Sequence, residues 1–396
     1  MTKKIISAIL ALCIVFAAAI PSFAASGSNK LRFDKNGEFR ILHICDLQDD
    51  YPIEKETVTF VNYIIDKNQP HIVVLGGDNC ISSKENKEKA IKEICDIFVA
   101  KKVYFTLVFG NHDDEQGVDK DTLLKYYQKH GGKYCLAYDD DKSLHGAAIH
   151  NLPVLASDSN EIKFNLWMFD TNTYVYDEND PEKRLGYDNV REDQIEWYKE
   201  KSEQLEKKAG RKVNSIAFQH MVPPEVYDAM FPTFFFDLSP VTETYNNGKH
   251  YPVIFPNTSA FKGHIYEPPS PGVYNHGHYD AMVERGDVLG VFVGHDHENS
   301  YETEHKGIMI VNTPSNTYHS YSTELNKGAR LITVNEEDTS TFTTEVLEVN
   351  GYALRDGDFA EAMGINRFAA GFYCVAANLL LLLKNLSAPV AWLIFW

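Results

Sequence analysis

Hydrophobic positions along the chain gather in short runs that polar clusters bring to an end. Residues 39–45, 71–75 and 103–109 have the length and the branched, aromatic content of strands. Stretches around 54–66, 84–99 and 119–129 follow them with the apolar spacing of helices. This β-α-β rhythm predicts parallel strands joined by crossover helices. Residues 147–156 and 162–170 read as further strands. Residues 191–208 read as a helix with Ile195, Tyr198, Ser202 and Leu205 on one face. Strand-like runs return at 213–218 and 288–293, and 308–312, 329–335 and 342–349 alternate as antiparallel strands do.

Five of these runs stop at a cluster able to bind a metal. Asp46-Leu47-Gln48, Gly77-Asp78-Asn79, Gly110-Asn111-His112-Asp113, Gln219-His220 and Gly294-His295-Asp296-His297 follow one another in that order. Carboxylates, an amide and imidazoles are donors for divalent metals. Open α/β sheets build their sites in loops at the carboxyl ends of strands. Alone, a Gly-Asp recurs in many loops, and a single His such as His220 is usually a core or surface histidine. Five in succession point to a metal site, and His295 and His297 suit two adjacent ions from one turn.

The series resembles the calcineurin-like metallophosphoesterase superfamily over residues 39–349. That family's signature is Asp-x-His, Gly-Asp, Gly-Asn-His-(Asp/Glu), a lone His and Gly-His-x-His, and four of the five blocks stand unchanged. The resemblance implies an α/β fold of two mixed β-sheets packed as a sandwich and flanked by helices. It also implies two divalent ions (Mn, Fe, Zn or Mg) bridged by Asp78. The first ion would be held by Asp46, Asp78, His297 and, where an amide oxygen substitutes for imidazole, Gln48. The second would be held by Asp78, Asn111, His220 and His295. The implied activity is hydrolysis of phosphomonoesters or small phosphodiesters by a hydroxide bridging the metals. His112 would protonate the leaving oxygen or stabilise the phosphate oxygens. Asp113 either orients His112 or caps the following segment.

Two departures narrow this expectation. Gln48 stands where the family usually has His. A neutral amide oxygen suits harder cations such as Mn²⁺ or Mg²⁺ better than zinc or iron. Gln48 would otherwise only hydrogen-bond a metal-bound water, with Asp49 or Asp50 as substitute ligands, or pack at the loop's surface. Purple acid phosphatases carry a Tyr three residues after the bridging Asp, and here that residue is Ile81. No coloured Fe³⁺ site is expected.

Composition bounds the rest. Lys3 and Lys4, an apolar stretch 5–20 and Ser22-Phe23-Ala24 form a secretory signal over residues 1–24. Such an Ala-rich signal looks bacterial and predicts an extracytoplasmic protein, secreted or at the cell surface. The formal charge of −18, or −20 without Lys3 and Lys4, argues against nucleic acid or anionic lipid as an electrostatically recruited partner, and the resemblance implies a small phosphate ester as substrate. Cys45, Cys80, Cys95, Cys135 and Cys374 form no regular framework, and core thiols are the expectation.

The catalytic domain would span 25–349, with an aromatic-rich insertion at 223–287 read as a cap over the metal site. Phe234, Phe235, Phe236, Tyr245, Tyr251, Tyr266 and Tyr274 lie in that insertion. His276, His278 and Tyr318 are candidate substrate contacts, the alternative being a surface turn. Residues 350–396 form a hydrophobic tail whose only formal charge after Arg367 is Lys384. Three readings of the tail stand open: a membrane anchor, a buried terminal helix or an altered reading frame. Two rival functions also stand: a degenerate domain that binds metal or phosphate without turnover, and a surface-anchored interaction module.

Overall fold

The computed structural model describes residues 31–231, 242–245, 249–252, 257–322 and 326–395. The signal segment 1–24 and Phe234–Phe236 of the insertion lie outside the described residues. The strands, in chain order, are β1 (Glu38–Ile44), β2 (Ile72–Gly76), β3 (Tyr104–Val108), β4 (His150–Leu155), β5 (Ile162–Met168), β6 (Tyr174–Asp177), β7 (Asp180–Tyr187) and β8 (Ser215–Phe218). They continue as β9 (Thr242–Tyr245), β10 (Lys249–Pro252), β11 (Phe261–Lys262), β12 (Val288–Val293), β13 (Glu302–His305), β14 (Ile308–Asn312), β15 (Gly328–Asn335) and β16 (Thr343–Glu348). The helices are α1 (Lys55–Asn68), α2 (Lys87–Lys101), α3 (Lys120–Gly131), α4 (Glu192–Ala209), α5 (Glu225–Met230), α6 (His278–Arg285), α7 (Gly357–Ala362) and α8 (Arg367–Phe395).

Two mixed sheets result, in the orders β16-β15-β1-β2-β3 and β11-β13-β14-β12-β8-β5-β4. Period-two alternation explains why they stack. In β1, Phe39 and Ile41 join the core between the sheets, whereas Leu42 and Ile44 face the helices. β2 divides the same way, with Ile72 and Val74 inside and Val73 and Leu75 outside. From the second sheet, Ile216, Phe218, Phe292 and Val311 enter the same inner core. α1 buries Phe60, Val61, Ile64 and Ile65 on the outer face of the first sheet, the stripe expected of a covering helix.

The antiparallel pairing expected of the last strands holds for β15 and β16 and on one side of β14. β14 runs parallel to β12, and its antiparallel neighbour is β13; β15 and β16 belong to the other sheet. All five remaining cysteines are free thiols. The tail forms α8, which is long and apolar enough to cross a membrane by length and composition. Its Ala370, Cys374, Ala377 and Leu381 are buried against the domain, while Phe368, Phe372, Leu379 and Leu382 are exposed. Lys384 closes the contact with an ion pair to Glu298 at 2.9 Å.

Within each sheet the site-bearing strands run the same way. β1, β2 and β3 are parallel, as are β5, β8 and β12, so their carboxyl ends gather at one rim of each sheet. Backbone bonds from Gly294 N to the His220 carbonyl (3.0 Å) and from Asp46 N to the Gly77 carbonyl (3.1 Å) tie neighbouring loops.

Candidate metal centre

The loops adopt conformations that ordinary residues avoid. Asp46, Gln48, Asp78 and His295 all have positive φ, between +40° and +68°. Such backbone costs of order 1–3 kcal/mol per residue and persists where surrounding contacts over-determine it. Gly110 explains one constraint, since a Cβ there would lie 2.1 Å from Asp78 Oδ1.

Asp113 supplies another constraint. Its carboxylate accepts from the backbone N–H groups of Gly110 (2.8 Å), Asp78 (2.9 Å), Asn79 (2.9 Å) and Cys80 (3.3 Å). Burial, and then the nearby charge of Asp78, push its carboxyl up to about 6 against the pull of those amides. The expectation that Asp113 orients His112 is therefore corrected, because its oxygens are spent on the backbone of two loops. Asp113→Ala is expected to lower stability by several kcal/mol, since each stranded N–H costs about 1–3 kcal/mol. Thermal melting checks this; a melt within a degree or two of the parent protein would remove the brace.

On this frame the side chains converge. One donor atom each from Asp78, His220 and His295 lies within 4.8 Å of the other two, and all three residues are buried. His220 Nε2 stands 3.2 Å from Asp78 Oδ2 and 3.8 Å from Asp46 Oδ1, and His297 Nε2 stands 3.5 Å from Asp46 Oδ1. His220 Nε2, Asp46 Oδ1 and Asn111 Oδ1 are nevertheless buried without a hydrogen-bond partner. These groups aim at common points rather than at one another, and a buried orphan polar atom costs about 1–3 kcal/mol unless something else satisfies it. That donor set fits a divalent cation.

Outer contacts fix the rings. His220 Nδ1–H donates to the Gly76 carbonyl (2.9 Å) and His297 Nδ1–H to the Tyr321 carbonyl (2.6 Å), which leaves each Nε2 turned inward. Burial disfavours the His220 imidazolium, but Asp78 and Asp46 outweigh it and raise its pKa to about 10. The same competition, with Asp46 as the main partner, raises His297 to about 9. Burial and the neighbouring His220 charge hold His295 well below its ordinary value. The two carboxylates thus stabilise positive charge at the centre.

No protein-family model matches the chain. Two Arabidopsis thaliana proteins, named "Probable inactive purple acid phosphatase 29" and "Probable inactive purple acid phosphatase 14", are 26% identical over 333 residues and 24% identical over 348. The matches cover 76% of this chain and 77% of the first relative, and 81% of this chain and 81% of the second. The chain resembles purple acid phosphatases in sequence. Its relatives are purple-acid-phosphatase-like, and some carry the word inactive in their names. The Saccharomyces cerevisiae Phosphatase DCR2 is 23% identical over 304 residues, 70% of this chain and 47% of that protein. Among solved structures, a dimetal phosphatase from Danio rerio aligns with 78% of this chain and 98% of its own at 12% identity, with a TM-score of 0.42.

Gln48 is the residue that departs from the metallophosphoesterase signature. Its amide nitrogen, not its oxygen, meets Asp78 Oδ2 (3.2 Å) and His297 Nε2 (3.2 Å). An amide NH₂ offers no lone pair to a metal, so in this orientation Gln48 links two of the proposed ligands of the first ion rather than joining them. Asp49, the alternative ligand, is turned away: its carboxylate accepts from Thr57 Oγ1 (2.6 Å) and from Glu54 N. The first ion is therefore expected to be the looser of the two. Gln48→His restores an imidazole and should tighten the first site toward zinc- or iron-like ions. Gln48→Ala should alter the first site without emptying the second. Calorimetric metal titration of the three proteins decides; indistinguishable two-site isotherms would mean that Gln48 plays no part in holding metal.

Beside the centre, His112 Nδ1 pairs with Glu115 Oε2 at 2.6 Å, and the His112 backbone N–H donates to Asp78 Oδ1 at 2.7 Å. Glu115, not Asp113, orients this imidazole. Sequence reasoning passed over Glu115, and its three-residue spacing from His112 was the available signal.

It also passed over the β6–β7 hairpin. Tyr174 Oη donates to Glu115 Oε1 (2.7 Å) and accepts from Asn111 Nδ2 (3.1 Å), so the Asn111 amide keeps Oδ1 turned inward. Tyr187 meets His295 edge-on at 4.4 Å between ring centroids. The hairpin thus touches Asn111 and His295, whose loops leave different sheets.

Part of the insertion lies among the described residues and borders the site. Its Glu267 and Ser270 lie along the loop of His297, bonded through Glu298 N and Asp296 Oδ1. His276 instead pairs with Glu192 at 2.7 Å, and His278 is buried edge-on against Phe169 and Tyr198. Neither is brought to the metal centre. The ring of Tyr318 lies under the Lys327 ammonium at 3.9 Å, and it is Tyr321 that stacks on His297 at 4.1 Å.

Proposed function

We propose that the chain is an extracytoplasmic, divalent-metal-dependent phosphoesterase acting on phosphomonoesters or small phosphodiesters. The observation that carries this reading is the convergence of Asp78, His220 and His295 donor atoms beside the orphaned oxygens of Asp46 and Asn111. Bound ions would supply Lewis-acid charge to the phosphoryl oxygens and a nucleophile at neutral pH. Asp78 would serve both positions, with Asn111, His220 and His295 completing the second and Asp46 and His297 the first.

His112 does the proton work in this reading. Glu115 accepts from Nδ1 and fixes the ring's orientation, which leaves Nε2 to face the leaving oxygen as the proton donor. His112 is partly exposed, as access to a substrate requires. The segment 1–24 supports export, and the exposed apolar side of α8 supports attachment to a membrane surface.

A second reading, binding of metal or phosphate without turnover, is favoured by the Gln48 amide between Asp78 and His297 and by the names of the plant relatives. Metal analysis paired with hydrolysis of an aryl phosphate and a bis-aryl phosphate separates the two. Bound metal with measurable turnover supports the enzyme; bound metal with no turnover of either ester selects the second reading.

A further inference from the structure

The β6–β7 hairpin carries a cation that the chemistry so far has not used. The Arg184 guanidinium lies over the Tyr174 ring, 4.5 Å from its centroid. Among the described residues it has no carboxylate partner, whereas the adjacent Lys183 is paired with Asp177 at 3.2 Å. Tyr174 is itself hydrogen-bonded to Asn111 and Glu115, and it stands 5.6 Å from Tyr187, which abuts His295. Arg184 is therefore held one aromatic ring away from the metal centre by a hairpin seated on its ligands. In a chain of net charge −18, an exposed and unpaired guanidinium at that place is an exception to the prevailing field.

We propose that Arg184 forms an anion subsite at the mouth of the metal centre, taking a second anionic group of the substrate set back from the phosphoryl group under attack. The inference rests on the phosphoesterase reading and narrows its substrate class to esters that carry a further phosphate or carboxylate. The guanidinium fork matches either group with paired, charge-assisted hydrogen bonds. The ring beneath keeps the side chain extended, so little rotamer freedom is left to lose on binding. An intervening tyrosine ring makes the subsite too distant for the scissile phosphoryl itself, which belongs among the Asp78, Asn111 and His112 groups.

The test uses the full, metal-loaded protein and its Arg184→Met and Arg184→Lys variants, each first checked by thermal melting. Calorimetry compares propylphosphonate, which has a single anionic group, with 3-phosphonopropionate and 1,3-propanediphosphonate. The parent protein should prefer one or both of the doubly anionic probes, and which one it prefers identifies carboxylate or phosphate as the partner. Arg184→Met should erase that preference, a loss of about 10- to 100-fold for a charged hydrogen-bonded pair, and Arg184→Lys should keep part of it. Steady-state kinetics on 4-carboxyphenyl phosphate against phenyl phosphate should show the same discrimination falling through KM rather than kcat.

A parent protein that hydrolyses aryl phosphates but treats the three phosphonates alike overturns the inference and leaves the enzyme reading standing. A preference that survives Arg184→Met likewise overturns it. An Arg184-dependent preference in a protein that hydrolyses no ester keeps the subsite and removes the enzyme reading.

Discussion

Asp78→Ala is expected to strip the centre of metal and abolish hydrolysis. Asp78 meets both halves of the site: His220 Nε2 at 3.2 Å, the Gln48 amide at 3.2 Å and the His112 backbone N–H at 2.7 Å. Its removal withdraws charge from both proposed ion positions at once. The effect should exceed the roughly 10- to 100-fold that loss of an outer partner costs a metal site. Asp78→Asn keeps an acceptor for His112 N while removing the charge, so it separates electrostatics from loop support and should also lose metal. Elemental analysis and a rate assay on the folded variants check the outcome. An Asp78→Ala protein with the parent's metal content and rate would end the two-metal reading.

The next largest effect is expected at His112. His112→Ala should leave metal content near normal and lower the rate by roughly 10²–10⁴, the range for a general acid. The loss should shrink for substrates with acidic leaving groups, which need little protonation. Glu115→Gln should reproduce that leaving-group dependence with a smaller loss, because it keeps the side chain's shape but withdraws the negative charge from Nδ1. Equal losses for good and poor leaving groups would take His112 out of the acid role. Loss of metal in His112→Ala would instead make the residue part of the frame around Asp78.

The contacts that decide these outcomes differ in how far apart they lie along the chain. His112 and Glu115 are three residues apart, and Asp113 lies within the Gly110-Asn111-His112-Asp113 block itself. Asp113 nevertheless braces Asp78, 35 residues away, because two buried loops present their N–H groups to the same carboxylate. Sequence spacing gives no sign of which backbone donors a carboxylate will meet. The same holds for Tyr174, which reaches Asn111 across 63 residues.

By itself the sequence determined the alternation of strands and helices and the order of the polar blocks at strand ends, whereas the two-sheet sandwich was what the family resemblance implied. The first two follow from local periodicity, since inner and outer faces demand alternating apolar residues, and site residues must sit where those runs stop. Strand ends fell within a few residues of expectation, as in β1, β2 and β12. Tertiary structure alone decided which way the Gln48 amide turns, what Asp113 binds and that the β6–β7 hairpin meets Asn111 and His295. The β6–β7 hairpin had left no apolar signal because most of β7 is exposed, and an exposed ribbon buries no face that would impose a pattern. Conversely, His276 and His278 looked like site residues in a polar Tyr-Asn-His-Gly-His run. The start of α6 there buries His278 in the core, because helix packing, not local composition, chose its direction.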